Sequence, residues 1–375
     1  MKILFAGGGS GGHFYPIIAV AQEINIIAKE EHLLEAKLYF MAPDPYDRRA
    51  LFENNIEFVA NPAGKLRRYF SLLNIMDGFK TFIGILKSIV MIFSIYPDII
   101  FGKGGYASFP ALIAAKIFSI PVVIHESDTI PGKVNLWASK FASRIAISYP
   151  EAADFFPKDK TAQTGNPIRR ELRTISPEGA HEFFKLDPVV PTILILGGSQ
   201  GAATMNDILL DSLKDLLSRY QIIHQTGPAN IKEVSKTSSL LLENGPYKNR
   251  YRPFDTLNNL AMKMAAGVAE LVISRAGSTI FEIALWGKPS IIVPIPTSVS
   301  HNQRSNAFAY SRTGACVVLE EENLSPHVFT AEVDRIMADE SLRKRMRESA
   351  KNFASPDAAD KIAREIIRIG LSHER

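Results

Sequence analysis

His13 ends a glycine run, Gly7-Gly8-Gly9-Ser10-Gly11-Gly12, that follows the apolar stretch Ile3-Leu4-Phe5. An imidazole titrates near neutrality, so at such a turn it can take a proton from a hydroxyl. It can equally cap a helix or meet a phosphate. A second run, Gly197-Gly198-Ser199-Gln200-Gly201, follows Thr192-Ile193-Leu194-Ile195-Leu196. Glycines let a backbone approach an anion closely, and a helix opening behind them points unpaired N–H groups at it. Two such turns, far apart in one chain, suggest two similar domains with a cleft between them.

Other reactive groups also sit just past apolar runs. His125-Glu126-Ser127-Asp128 follows Pro121-Val122-Val123-Ile124, at the strand end where open parallel sheets bind ligands. His125 there is either ligand-facing or a structural strand end. Arg275-Ala276-Gly277-Ser278-Thr279 is another strand-to-helix turn, with Glu282 one turn inside the helix. That carboxylate either complements the helix dipole or accepts from ribose hydroxyls. The amides of Asn302, Gln303 and Asn306 both donate and accept, which suits sugar hydroxyls and equally an ordinary polar loop. Read as Gly7-x-Gly9-x-x-Gly12, the first loop also fits the dinucleotide fingerprint, with Asp44 placed to hold a ribose. A nicotinamide-dependent oxidoreductase is therefore a second reading. The chain offers no hydride-transfer site for it, and the second glycine loop would be left unexplained. A non-catalytic nucleotide-sugar-binding protein is a third.

The elements that must position these groups alternate. Apolar residues Ile17, Val20, Ala21, Ile24 and Ile27 recur at helical spacing behind the first loop. Strands are expected at 37–41, 99–101 and 121–124, the second leading into Gly102-Lys103-Gly104-Gly105, with a helix over about 110–118. The rhythm breaks in a stretch rich in proline and charge, 157–191, which places a hinge near Thr164. It restarts with strands at 192–196, 222–225, 271–274 and 290–293, and helices from Ala202 and over 278–286. This strand–helix alternation argues an α/β class with doubly wound parallel sheets. The expected domains are 1–163 and 164–351, with a charged helical tail over about 352–375 that can pack back onto the first. Residues 66–96 combine Arg67, Arg68, Lys80 and Lys87 with a long apolar run. They read as a core helix, or as an amphipathic face with a basic rim resting on anionic lipids.

Composition narrows the classes. A chain of 375 residues exceeds one ordinary core, so two domains are expected. The single cysteine, Cys316, excludes an internal disulfide framework and a cysteine-cluster metal site. The eight histidines show no metal-ligand spacing. A net charge of +4 is too mild to suggest nucleic acid. The first apolar run is too short for a signal peptide, which makes the cytoplasm the default compartment.

Taken in order, Gly8-Gly9-Ser10-Gly11-Gly12-His13-x-x-Pro16, Gly102-x-Gly104-Gly105-Tyr106, His125-Glu126, Thr164-Gly165-Asn166-Pro167-Ile168-Arg169, Gly197-Gly198-Ser199-Gln200-Gly201-Ala202, Arg275-Ala276-Gly277 with Glu282, and Gln303 with Asn306 form a set. Through about residue 325 the chain resembles the MurG-type N-acetylglucosaminyltransferases of glycosyltransferase family 28. The resemblance implies a GT-B fold of two Rossmann-like domains. It implies UDP-N-acetylglucosamine as donor and lipid I, undecaprenyl-diphosphate-MurNAc-pentapeptide, as acceptor. It further implies an inverting transfer with no cofactor and no metal, at the cytoplasmic face of the bacterial inner membrane. Carried over by motif, Ser199 faces the donor diphosphate with Ser278 and Thr279, Arg169 reaches the donor, Glu282 takes the ribose, and Gln303 meets the N-acetylglucosamine hydroxyls. Phe254 covers the base, ahead of a short insertion before Met262. Ser10, Gly11 and Gly12 approach phosphates from the first domain, and Gly104, Gly105 and Tyr106 fall on the acceptor side. His13 is the expected base, with Glu126 as the alternative. Ser127-Asp128 stands where the family carries Gln-Asn, which exchanges an amide donor for a carboxylate at a donor contact.

Overall fold

The computed structural model describes residues 1–64, 73–197, 202–297 and 301–373. The chain divides into two compact units, one of residues 1–169 with 355–375 and one of residues 170–354.

The first unit contains β1 (Lys2–Ala6), α1 (Gly11–Glu30), β2 (Lys37–Ala42), α2 (Arg48–Glu53), β3 (Ile56–Ala60), α3 (Leu73–Ile95), β4 (Ile99–Gly102), α4 (Phe109–Ile117), β5 (Val122–Glu126), α5 (Lys133–Ala138), β6 (Arg144–Ile147) and β7 (Thr161–Gln163). Its strands form one sheet in the order β3-β2-β1-β4-β5-β6-β7, and every pairing is parallel. A parallel sheet is covered on both faces, so its central strands read as unbroken apolar runs. The two-residue period of β1 divides its side chains accordingly. Ile3 and Phe5 face α1, while Leu4 and Ala6 join the core under α4.

The second unit contains α6 (Ala180–Phe184), β8 (Thr192–Leu196), α7 (Ala203–Arg219), β9 (Gln221–Gln225), α8 (Ile231–Leu241), β10 (Tyr251–Phe254), α9 (Asn259–Val268), β11 (Ala269–Ser274), α10 (Thr279–Trp286), β12 (Ser290–Ile292), α11 (His301–Ser311), β13 (Cys316–Val318), α12 (Pro326–Ala338) and α13 (Glu340–Phe353). Its parallel sheet runs β10-β9-β8-β11-β12-β13, the same winding as the first. Ile193 and Ile195 pack under α7 and α12, and Leu194 and Leu196 under α9 and α10.

α14 (Ala358–His373) returns to the first unit. It lays Ile362, Ala363, Ile366 and Ile367 into the core beside α1. Arg364 pairs with Glu31 at 2.8 Å, and Glu365 with Arg144 at 2.9 Å.

In each sheet the winding reverses beside the first strand, between β1 and β4 and between β8 and β11. A crevice opens at the carboxyl ends of strands flanking such a reversal, because the two connections leave in opposite directions.

Candidate active site

The reversal in the first unit gathers three loops. The loop after β1 carries Gly8 and Gly9 at positive φ, +133° and +85°, and delivers Ser10 as the N-cap of α1. The Ser10 side chain does not cap the helix; its carbonyl accepts from the His13 and Phe14 N–H groups, both at 3.1 Å. Pro16 has no N–H, so the Gly12 carbonyl receives no helical bond from that position. Tyrosines crowd this loop. A Cβ on Gly9 would meet the Tyr106 hydroxyl at 3.0 Å, and one on Gly11 the Tyr46 hydroxyl at 2.8 Å. Arg169 stacks on the Tyr15 ring at 3.7 Å.

The loop after β4 supplies Lys103, Gly104, Gly105 and Tyr106. Gly105 (φ +74°, ψ 170°) presses its backbone against the His13 ring, with Nε2 3.4 Å from where a Cβ would stand. His13 Nδ1 is shut away from solvent, and the ring makes a hydrogen bond with the Lys103 backbone. Burial, and then the Lys103 charge, lower the His13 pKa to about 4, partly opposed by Asp128. His13 is therefore a neutral base at physiological pH. Lys103 itself is 1% exposed, and burial lowers its pKa to about 8 against the pull of Glu126 and Asp128.

The loop after β5 is organised by Glu126. Its carboxylate accepts from the Asp128 N–H (3.0 Å), the Gly132 N–H (3.0 Å) and Asn135 Nδ2 (2.9 Å). Burial and the neighbouring Asp128 charge raise its pKa. Asn135 also donates to the His125 carbonyl and lies under Gly104. His125 is fully buried, with Nε2 in contact with the Gly165 carbonyl (3.0 Å) and Ser148 Oγ (3.2 Å). That arrangement ties β5 to the turn after β7.

In the second unit, Ser199 and its loop, residues 198–201, lie outside the described residues. The α10 terminus is described. Ser278 is its N-cap and makes no side-chain cap, while Glu282 stands half-buried in the first turn. Arg275 precedes it, ion-paired with Glu321 and donating to the Val293 carbonyl at 3.2 Å. Gln303 Oε1 accepts from the Ile295 N–H at 3.2 Å, and Asn306 Nδ2 donates to the Ala276 carbonyl at 3.4 Å. A cavity of about 250 Å³ lies beside them, lined by residues 294–297, Arg304 and residues 320–322. Phe254 ends β10 and packs edge-on against Phe184. Its carbonyl receives the Thr226 N–H and hydroxyl. Past it, Asn258 caps α9 through the Ala261 N–H, so residues 255–258 form a turn ahead of Met262.

The sequence brought His13, the glycine turns and Glu126 to attention but missed Lys103, Tyr46 and Asn135. A lysine between glycines reads as a solvated cation, and Tyr46 and Asn135 reach the loops from distant positions.

Comparison with known proteins gives the family and the fold. The glycosyltransferase family 28 N-terminal domain matches residues 3–147, and the family's C-terminal domain matches residues 192–362. A UDP-N-acetylglucosamine–N-acetylmuramyl-(pentapeptide) pyrophosphoryl-undecaprenol N-acetylglucosamine transferase of Treponema denticola is 34% identical, over 95% of this chain and 93% of its own. The like-named protein of Thermodesulfovibrio yellowstonii is 36% identical, over 96% and 97%. The crystal structure of Acinetobacter baumannii MurG superposes with a TM-score of 0.71 at 24% identity, over 98% of this chain and 99% of that one. A UDP-GlcNAc 2-epimerase from Neisseria meningitidis bound to UDP-GlcNAc shares the fold at a TM-score of 0.67 and 15% identity, over 98% and 100%.

Proposed function

Because the chain belongs to glycosyltransferase family 28, we propose that it moves N-acetylglucosamine from UDP-N-acetylglucosamine to the 4-hydroxyl of MurNAc in lipid I, forming lipid II. The observation that carries this reading is the likeness to relatives named for this reaction over nearly their whole length. Both family domains are present, so neither substrate's half is missing.

In the transfer, the acceptor hydroxyl oxygen attacks C1 of the donor sugar. The C1–O bond to the diphosphate breaks, and UDP leaves with the bonding pair. The hydroxyl proton passes to His13 Nε2, the ring nitrogen on the Gly105 side. The hydroxyl becomes acidic only as its new bond forms, so a neutral imidazole of depressed pKa is suited to a late proton transfer. Glu126, whose carboxylate already holds three donors, positions the loop that carries Asp128 and Asn135. In the second unit the α10 terminus faces the growing negative charge through Ser278 and Thr279. Glu282 accepts from the ribose, and Gln303, its oxygen already engaged, offers its NH2 to the sugar. Phe254 flanks the base. Arg169 and Ser199 are assigned to the donor, Ser10, Gly11 and Gly12 to phosphates, and Gly104, Gly105 and Tyr106 to the acceptor side.

The acceptor is lipid-linked, and α3 supplies a membrane contact for it. α3 is apolar and long enough to cross a bilayer, yet one side is fastened to its own unit. Asn61 donates to Ser88 Oγ at 3.0 Å, Ile92 is buried, and Gly84 lies directly against the Pro62 carbonyl. The opposite side exposes Ile75, Phe79, Phe82, Leu86, Val90 and Phe93, with Lys80 and Lys87 exposed among them. A helix packed on one side and apolar on the other lies in the interface of an anionic leaflet rather than across it. Arg67 and Arg68 of the expected basic rim lie outside the described residues.

The deciding experiment is turnover. Labelled UDP-N-acetylglucosamine and a lipid I analogue should yield a labelled disaccharide lipid and UDP in stoichiometric amounts. UDP release without that product would reject the assignment.

A further inference from the structure

Lys103 forms the floor of the first unit's site, and the transfer chemistry above does not use it. It follows β4 directly, with its N–H bonded to the Ala6 carbonyl at 2.9 Å. The side chain starts against the first glycine loop, since a Cβ on Gly7 would stand 3.1 Å from the Lys103 Cβ. It is 1% exposed, and Nζ has no hydrogen-bond partner among the described residues. Its charge is felt by His13 in the first turn of α1 and by Glu126 after β5. The ammonium therefore lies where the ends of β1, β4 and β5 meet, at the reversal of the sheet.

A buried ammonium carries three donors and a full charge, and leaving them unmatched is strongly unfavourable. Glu126 attracts the charge, but its oxygens accept from Asp128, Gly132 and Asn135 and no hydrogen bond joins them to the ammonium. The positive end of α1, uncapped by Ser10, opens beside the same point. A desolvated cation beside a free helix N-terminus suits one class of ligand, a phosphate or diphosphate oxygen.

We infer that Lys103 is a diphosphate-contacting residue, its Nζ donating to a phosphate oxygen held at the N-terminus of α1. The inference rests on the transferase reading, in which both substrates carry a diphosphate. Neutralising the ammonium also removes one of the influences that weaken His13 as a base, so binding of this group and readiness for proton transfer are linked.

Steady-state turnover by Lys103→Met, varying donor and lipid I analogue in turn, tests the contact and names its source. We expect the KM for one diphosphate substrate to rise roughly 10- to 100-fold, as for a lost hydrogen bond between charged groups, while the other stays within about twofold. Lys103→Arg should recover most of the loss. An unchanged KM for both substrates in Lys103→Met would overturn the inference. A second measurement needs no variant. With lysine-labelled wild-type protein, inorganic pyrophosphate should raise the Lys103 titration midpoint, about 8 without ligand, by about one pH unit. A Lys103 resonance indifferent to pyrophosphate would also overturn it. Wild-type turnover tests the transferase reading separately, so either idea can fail alone.

Discussion

The pH dependence of turnover tests whether His13 takes the acceptor proton. Its pKa is lowered from 6.5 to about 4, first by burial and then by the Lys103 charge. At about pH 5.5 an imidazole of ordinary pKa would be only about one-tenth neutral, whereas one near 4 remains almost wholly neutral. The wild-type kcat/KM, which reports the free enzyme, should therefore hold within about twofold between roughly pH 7.5 and 5.5, where an unshifted base would lose about tenfold. The acid limb of kcat, which reports the substrate complex, should lie higher than that of kcat/KM, because a bound diphosphate offsets Lys103. His13→Gln should lower kcat by ~10²-fold or more. The assay is initial-rate turnover across a constant-ionic-strength buffer series, with the donor varied at each pH. An acid limb near pH 6 in wild-type kcat/KM would refute the reasoning. If that limb survived in His13→Gln, it would belong to another group, with Glu126, whose pKa is raised, the first to examine.

Glu282→Ala should raise the donor KM by roughly 10- to 100-fold, the worth of a hydrogen bond to a charged group, and an unchanged donor KM would remove Glu282 from the ribose. His224 is held neutral in the second unit between Tyr251 OH (2.8 Å) and Asn206 Oδ1 (3.1 Å), and burial lowers its pKa to about 3. The unfolded chain takes up that proton first, so stability is full above about pH 6.5 and falls as pH drops toward 3, by about 2 kcal/mol at pH 5. Urea midpoints at pH 7 and 5 measure the loss, and an equal loss in His224→Gln would assign it elsewhere. Replacing Phe79, Phe82 and Leu86, which are 65%, 56% and 50% exposed, together by serine should weaken sedimentation with anionic vesicles by at least about tenfold. Unchanged binding would move the membrane contact off α3.

The parts of the fold that were plain in the sequence are those buried on both faces. β1, β4, β8 and β11 each centre on an apolar run (3–6, 99–101, 193–196 and 271–273) that ends in glycine or a small polar turn, and they carry the site loops. The outer strands gave no such signal. β7 is Thr-Ala-Gln and β10 is Tyr-Arg-Pro-Phe, too short and too polar to stand out, and their pairing depends on neighbours far along the chain. The tail expected as a helix over about 352–375 forms α14 from Ala358, set off from α13 by Ser355-Pro356-Asp357, and the two helices belong to different units. At the site, residue types that carry their own signature were legible: glycines at turns, His13, and the carboxylates Glu126 and Glu282. What burial does to a side chain was not. Nothing in Gly102-Lys103-Gly104 announces that the lysine is enclosed, or that Glu126 holds three donors, one of them from Asn135 nine residues on.

The place of α14 bears on how the molecule comes into being. The first unit's core includes Ile362, Ala363, Ile366 and Ile367, so the packing of α14 beside α1 closes only after residues 358–373 have left the ribosome. Every residue of the second unit, 170–354, has been synthesised before that happens. The order of emergence is thus reversed in the order of completion: the half translated first waits, with the α1 flank of its sheet uncovered, for the half translated second. A stop codon or protease cut near Ser355 would consequently injure the amino-terminal half while sparing the half that adjoins the cut.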